Sequence, residues 1–119
     1  MDKSFSVMSL PFEYDEMESF IQTYKDKLME QIVSSVQYAL DNDYPTVEVF
    51  SFKNSDFIVI LTQSEFKDNI DNVFEYYVNT EQYEFCSRLV KLKKQIEQHE
   101  QKQQERHKPK SSSKRKDQR

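Results

Sequence analysis

Between residues 14 and 40 the apolar side chains Met17, Phe20, Ile21, Tyr24, Leu28, Ile32, Val36, Ala39 and Leu40 recur at intervals of three and four. That spacing stacks them on one face of a helix. Asp15 followed by Glu18 reads as a capping box, and Asp41-Asn42-Asp43 with Pro45 supplies the stop. Such a helix would be about 40 Å long, enough for one end to project and serve a partner.

The period then changes. Residues 47–52 and 57–62 are apolar-rich and flank the polar turn Lys53-Asn54-Ser55-Asp56, which predicts a β-hairpin. The run Phe57-Ile58-Val59-Ile60-Leu61 is apolar on both faces and so reads as a central strand. Residues 4–10 alternate loosely up to Pro11 and can lie beside it, completing a three-stranded antiparallel sheet. If its outer side stays uncovered, that strand is a dimer contact.

Thr62 and Glu65 form a second capping box, opening a helix with Phe66, Ile70, Val73, Phe74, Tyr77 and Val78 inward. Asn79-Thr80 breaks it. Tyr83, Cys86, Leu89, Val90, Leu92 and Ile96 carry the next helix, within which Phe85, Leu89, Leu92 and Ile96 repeat at four, three, four. That is the seam spacing of a coiled coil, so these four are the candidate protein-docking residues.

The segment Tyr83-Glu84-Phe85-Cys86-Ser87-Arg88-Leu89 follows an aromatic–Glu–x–small–small–x–Leu pattern. Residues 69–98 thereby resemble the C-terminal helical hairpin of the bacterial excision-repair proteins UvrB and UvrC, over about a quarter of the chain. The family's Arg-Asp pair after the leucine is here Val90-Lys91. The resemblance implies a protein-docking hairpin and carries no implication of repair chemistry.

Composition sharpens the boundary of the folded part. No Ala, Val, Ile, Leu, Met, Phe, Trp, Tyr or Cys occurs from Glu97 to Arg119, so the first 96 residues are about 45% apolar, as globular domains are. The expected organisation is one α+β domain over residues 1–96. A polar helical extension and a disordered basic tail follow over residues 97–119. Charge divides at the same place: nine bases and 17 acids give residues 1–96 a net −8, while eight bases and four acids give the remainder +4. Lys108, Lys110, Lys114, Arg115, Lys116 and Arg119 concentrate the positive charge and are the candidate contacts to nucleic acid or another anionic surface. Ser111, Ser112 and Ser113 lie among them, where phosphorylation would reverse the sign.

Several chemistries are excluded by what is missing. The chain has no glycine, so a P-loop, a Rossmann turn, a nucleophile elbow and a GXXG clamp are absent in their usual forms. Cys86 is the single cysteine, and His99 and His107 stand eight residues apart in the polar extension, so neither a thiol nucleophile nor a zinc site is expected. The acid pairs Asp41/Asp43, Asp68/Asp71 and Glu81/Glu84 fall at helix ends or on polar faces rather than in a dry cleft. Most aromatics fall on inward faces, with Tyr38, Tyr44 and Tyr76 the better candidates for exposure.

The longest apolar run is five residues against the roughly 20 of a spanning helix. The first ten residues lack the pattern of a secretory leader, and one cysteine forms no internal disulfide; the expected setting is cytoplasmic. The reading is therefore a small non-enzymatic adaptor or regulatory protein without cofactor, metal or membrane contact, docking on another protein through its helical surfaces, the helical hairpin or the long first helix, while its tail meets an anionic partner. A nucleic-acid-associated regulator acting through the tail, and a self-associating component of a viral or cellular assembly, are the alternatives.

Overall fold

The chain enters as an extended arm. The computed structural model describes residues 5–107, in which strand β1 (Met8–Ser9) leads through a 3-10 turn (Tyr14–Glu16) into helix α1 (Met17–Asn42). Strands β2 (Thr46–Ser51) and β3 (Ile58–Thr62) form the hairpin, and helices α2 (Gln63–Asn79) and α3 (Tyr83–His107) complete an α+β fold.

The entry to α1 is closed two residues earlier than the Asp15/Glu18 spacing predicts. The Glu16 carboxylate accepts the Glu13 N–H at 2.8 Å, while Glu13 accepts from Asn54 Nδ2 at 2.9 Å. The hairpin turn thus fixes where the helix begins, a tertiary constraint that local spacing does not contain. Thr62 and Glu65 cap α2 as expected, with Glu65 accepting the Thr62 N–H at 2.8 Å.

The strand order is β1-β2-β3, with β1 parallel and β3 antiparallel to β2. This corrects two expectations: the sheet is mixed, and the apolar strand lies at its edge. The cause of the first is α1 itself, whose length carries the chain back so that β2 starts from the same end as β1. The arm then occupies the β2 edge that the hairpin leaves open. Leu10 N–H donates to Ser51 O at 2.9 Å and Lys53 N–H to Phe12 O at 3.0 Å, extending the pairing to the turn. β3 is left with no strand on its far side among the described residues.

The helices cover one face of the sheet. Val36 and Ala39 of α1, Val49 of β2, Phe66, Ile70 and Val73 of α2, and Leu89, Leu92 and Ile96 of α3 are almost wholly buried in one cluster. Ser35 is buried among them, and its hydroxyl donates to the Gln31 carbonyl one turn earlier, at 2.6 Å. The pairing skips Val49 between Glu48 and Phe50, and this bulge turns Val49 and Phe50 both into the core.

Without glycine, the chain ends its helices on other left-handed residues. Asp43 (φ 60°) closes α1, with Tyr44 N–H donating to Ala39 O at 2.8 Å; Glu81 (φ 60°) closes α2, with Gln82 N–H donating to Tyr77 O at 2.8 Å. Asn54 (φ 57°) serves the hairpin turn. α3 continues past Ile96 to His107, and His99, three residues beyond the expected end of the domain, still touches the body. No helix among the described residues is long and apolar enough to cross a membrane.

Candidate docking surface

A sheet covered on one face leaves the other to water, and the alternation along β2 and β3 shows which residues lie there. Val47 pairs with Leu61 and both are buried; Glu48 pairs with Ile60 and both are exposed. Ser51 faces Ile58, and Thr46 faces Thr62, on the same open side. β2 thus shows polar side chains outward, as a solvated face should. β3 shows isoleucine: Ile58 is 37% and Ile60 48% exposed.

At the hairpin end the apolar surface continues as an aromatic corner. Phe57, 49% exposed, stacks on Phe52 at 5.8 Å, and Tyr14, 59% exposed, meets Phe57 and Phe52 edge-on at 5.2 and 5.3 Å. Four of the nine large apolar side chains exposed among the described residues, Tyr14, Phe57, Ile58 and Ile60, therefore lie on the open face of β3 or at the hairpin end next to it. The other five are scattered on the helices and at Tyr44, as single exposed apolars commonly are. Natural edge strands are usually protected by lysine, proline or a covering element. β3 carries none of these: no charged residue or proline occurs from Phe57 to Ser64.

The residues singled out in the sequence take other places. Leu89, Leu92 and Ile96 are at most 1% exposed, and Phe85 is half-buried, stacked on Tyr77 at 4.9 Å. The seam spacing is genuine but intramolecular: α3 lays it against α2 and α1, so these three side chains are spent on the fold and offer no docking face. The basic residues Lys108, Lys110, Lys114, Arg115, Lys116 and Arg119, with Ser111, Ser112 and Ser113, lie outside the described residues. Tyr44 is exposed, whereas Tyr38 stacks on Phe5 at 5.0 Å and Tyr76 donates its hydroxyl to Asp26.

The titratable groups are dispersed rather than convergent. Asp41 accepts from Gln37 at 2.9 Å and Gln95 at 3.3 Å; Asp71 pairs with Lys93 at 2.7 Å, joining α2 to α3. Cys86 is a buried free thiol. His99 is the surprise: its Nε2 donates to Asp43 at 2.6 Å, and Gln63 donates to its Nδ1. A carboxylate can only accept, which fixes the imidazole tautomer. The clue missed in the sequence was position, since His99 follows Cys86, Leu89, Leu92 and Ile96 along the same helical face. No group of three or more His, Cys, Asp or Glu residues able to hold a metal ion occurs among the described residues.

The groove between the N-terminal arm, α1 and Arg88, about 590 Å³, is open and of mixed polarity, lined by Phe5, Gln31, Gln37, Tyr38 and Asp41 among others. It lacks the enclosure of a small-molecule site. Comparison of the chain with protein-family models, with curated proteins and with solved structures finds no match.

Proposed function

We propose that this chain is a non-enzymatic interaction protein that receives an extended segment of another polypeptide along the free edge of β3. One observation carries the reading. The most apolar strand of the protein lies uncovered at a sheet edge, with Ile58 and Ile60 facing water and an aromatic corner at one end. In β-strand addition the added main chain satisfies the edge N–H and C=O groups, and alternate side chains give specificity. Ile58, Ile60 and Phe57 would supply that specificity here. The basic tail, residues 108–119, would add a salt-sensitive contact to an anionic part of the same assembly.

The reading is tested by affinity capture with the full chain and with Ile60→Lys, which sets a charge on the open face directly beside the side chains of an added strand. A protein retained by the parent and lost by Ile60→Lys, with the far-UV circular dichroism of the two alike, supports docking on β3. Equal retention by both overturns it.

A further inference from the structure

Resting on the reading of β3 as a docking edge, we propose that the strand it receives is β3 of a second copy, antiparallel across a two-fold axis through Val59. The product is a continuous six-stranded sheet.

Charge comes first. Residues 57–64 are neutral in a chain of which 32% is charged, so two copies can meet along this edge without setting like charges opposite one another. Side-chain order is the second ground. About Val59 the strand reads alike in both directions: Ile58 falls opposite Ile60 of the other copy, Val59 opposite Val59, and Phe57 opposite Leu61. β-Branched side chains suit the pleated surface, and directly opposed side chains are the pairs that interact across strands. The two copies would then join four isoleucines into one stripe on the open face and two valines on the helical face.

Register follows from the same pattern. Displacing the axis by half a residue pairs open-face with helix-face positions and puts the second helical layer on the wrong side. Displacing it by a whole residue keeps the faces but sets Ile58 against Thr62, or Ile60 against Asp56. The axis through Val59 sets Ile58 against Ile60 and Val59 against Val59, gives Leu61 an apolar partner in Phe57 just before the strand, and leaves only Thr62 opposite Asp56 at the strand's end.

Size sets the strength. A five-residue edge is about 17 Å long. With its flanking side chains it falls at the small, weak end of specific interfaces. The dimer is therefore weak and concentration-dependent. Each body also carries a net −8, so the copies repel at long range and salt relieves the repulsion. Self-association through a basic tail on an acidic body has the opposite salt dependence.

Sedimentation velocity of the full chain from about 10 µM to about 1 mM tests this. The expected result is a monomer–dimer equilibrium that tightens between about 0.05 and 0.5 M salt. Ile60→Lys and Ile58→Lys should each weaken it at least about tenfold. In a Cys86→Ala background, oxidised Val59→Cys should cross-link to itself. Ile60→Cys should do so only when mixed with Ile58→Cys. A monomer throughout, a dimer that salt weakens, or one indifferent to Ile60→Lys overturns the proposal. If the parent stays monomeric while Ile60→Lys still abolishes capture of another protein, the second copy is rejected and the docking edge stands. If Ile60→Lys changes neither, both fall.

Discussion

The Gln31 carboxamide of α1 donates to the Val49 carbonyl at 3.0 Å, and the same nitrogen reaches the Ser6 carbonyl at 2.9 Å. Val49 is the residue skipped in the β2–β3 register, and its carbonyl faces the β1 side of the sheet. Gln31 meets it and at the same time holds the arm that becomes β1. The helix, the arm and the bulge are joined at one side chain. Gln31→Leu keeps the approximate volume and removes the donor. The expected cost is about 0.5–1.5 kcal/mol, the net contribution of a hydrogen bond, read from urea unfolding. A change below a few tenths of a kcal/mol would show that water replaces the amide without loss.

His99 extends the body beyond the last apolar residue. With Asp43 in the turn after α1 and Gln63 in the first turn of α2, it pins α3 to both neighbours. His99→Ala should cost about 1–2 kcal/mol. The more telling readout is local. Amide exchange over residues 97–101 should accelerate while that of Ile70 and Val73, in the core of α2, changes only as much as global stability does. Uniform acceleration would mean that His99 contributes globally and not as a latch.

The helices, the hairpin and the Thr62/Glu65 cap were legible because each is written in local spacing. Period three-to-four over residues 17–40, four polar residues between two apolar runs, and a Thr–x–x–Glu box need no knowledge of the rest of the chain. The position of β3 was not legible. An apolar run such as Phe57-Ile58-Val59-Ile60-Leu61 predicts burial on both faces, and nothing local says that a two-residue arm will take the other side of β2. The same limit misassigned Leu89, Leu92 and Ile96, since coiled-coil spacing names a face without saying whether its complement lies in the same chain.

Those three buried residues give a prediction that separates folding from docking. Leu92, 1% exposed, lies in the core shared by α3 with the other helices. Leu92→Ala should cost about 2–5 kcal/mol by loss of apolar contact and the cavity left behind. Any partner lost with it should be regained at lower temperature or with a stabilising co-solvent. Ile60→Lys should instead lose the partner at unchanged stability, since the Ile60 side chain is about half exposed. Thermal unfolding of the two variants beside capture distinguishes the cases.

Tyr76 of α2 donates its hydroxyl to Asp26 of α1, and the Lys25 ammonium lies 5.8 Å from the centre of its ring. The hydrogen bond to Asp26, then burial, then the nearby carboxylate charge push the phenol from 10.0 up to about 12. Each favours the neutral form. The contribution to stability is therefore complete below about pH 10, the unfolded value, and is lost as pH rises toward about 12. Spectrophotometric titration of tyrosinate should show one late phase that Asp26→Asn moves earlier. Tyr77 is also raised, chiefly by burial with the Glu30 and Asp26 charges adding to it, so Tyr76→Phe is needed to assign the phase.

Glu81 is the least suited residue for the backbone it adopts. It sits at φ 60° after α2, with its N–H donating to Val78 O at 3.0 Å and the Gln82 N–H to Tyr77 O at 2.8 Å. This is the doubly hydrogen-bonded helix end at which glycine, and after it asparagine, is favoured. Asp43 and Asn54, the other two left-handed positions among the described residues, are residue types that tolerate the region; a glutamate lacks the short polar arm that eases it. Glycine removes the Cβ clash but loses more backbone entropy on folding, so Glu81→Gly should gain only about 0.5–1 kcal/mol. Glu81→Asn should gain less, and Glu81→Val should lose at least as much as glycine gains, because branching at Cβ worsens the clash. The order Gly, Asn, Glu, Val in urea midpoint, at unchanged m-value, is the result expected of a strained cap. A flat series would show that the carboxylate, and not the backbone, determines stability at this turn.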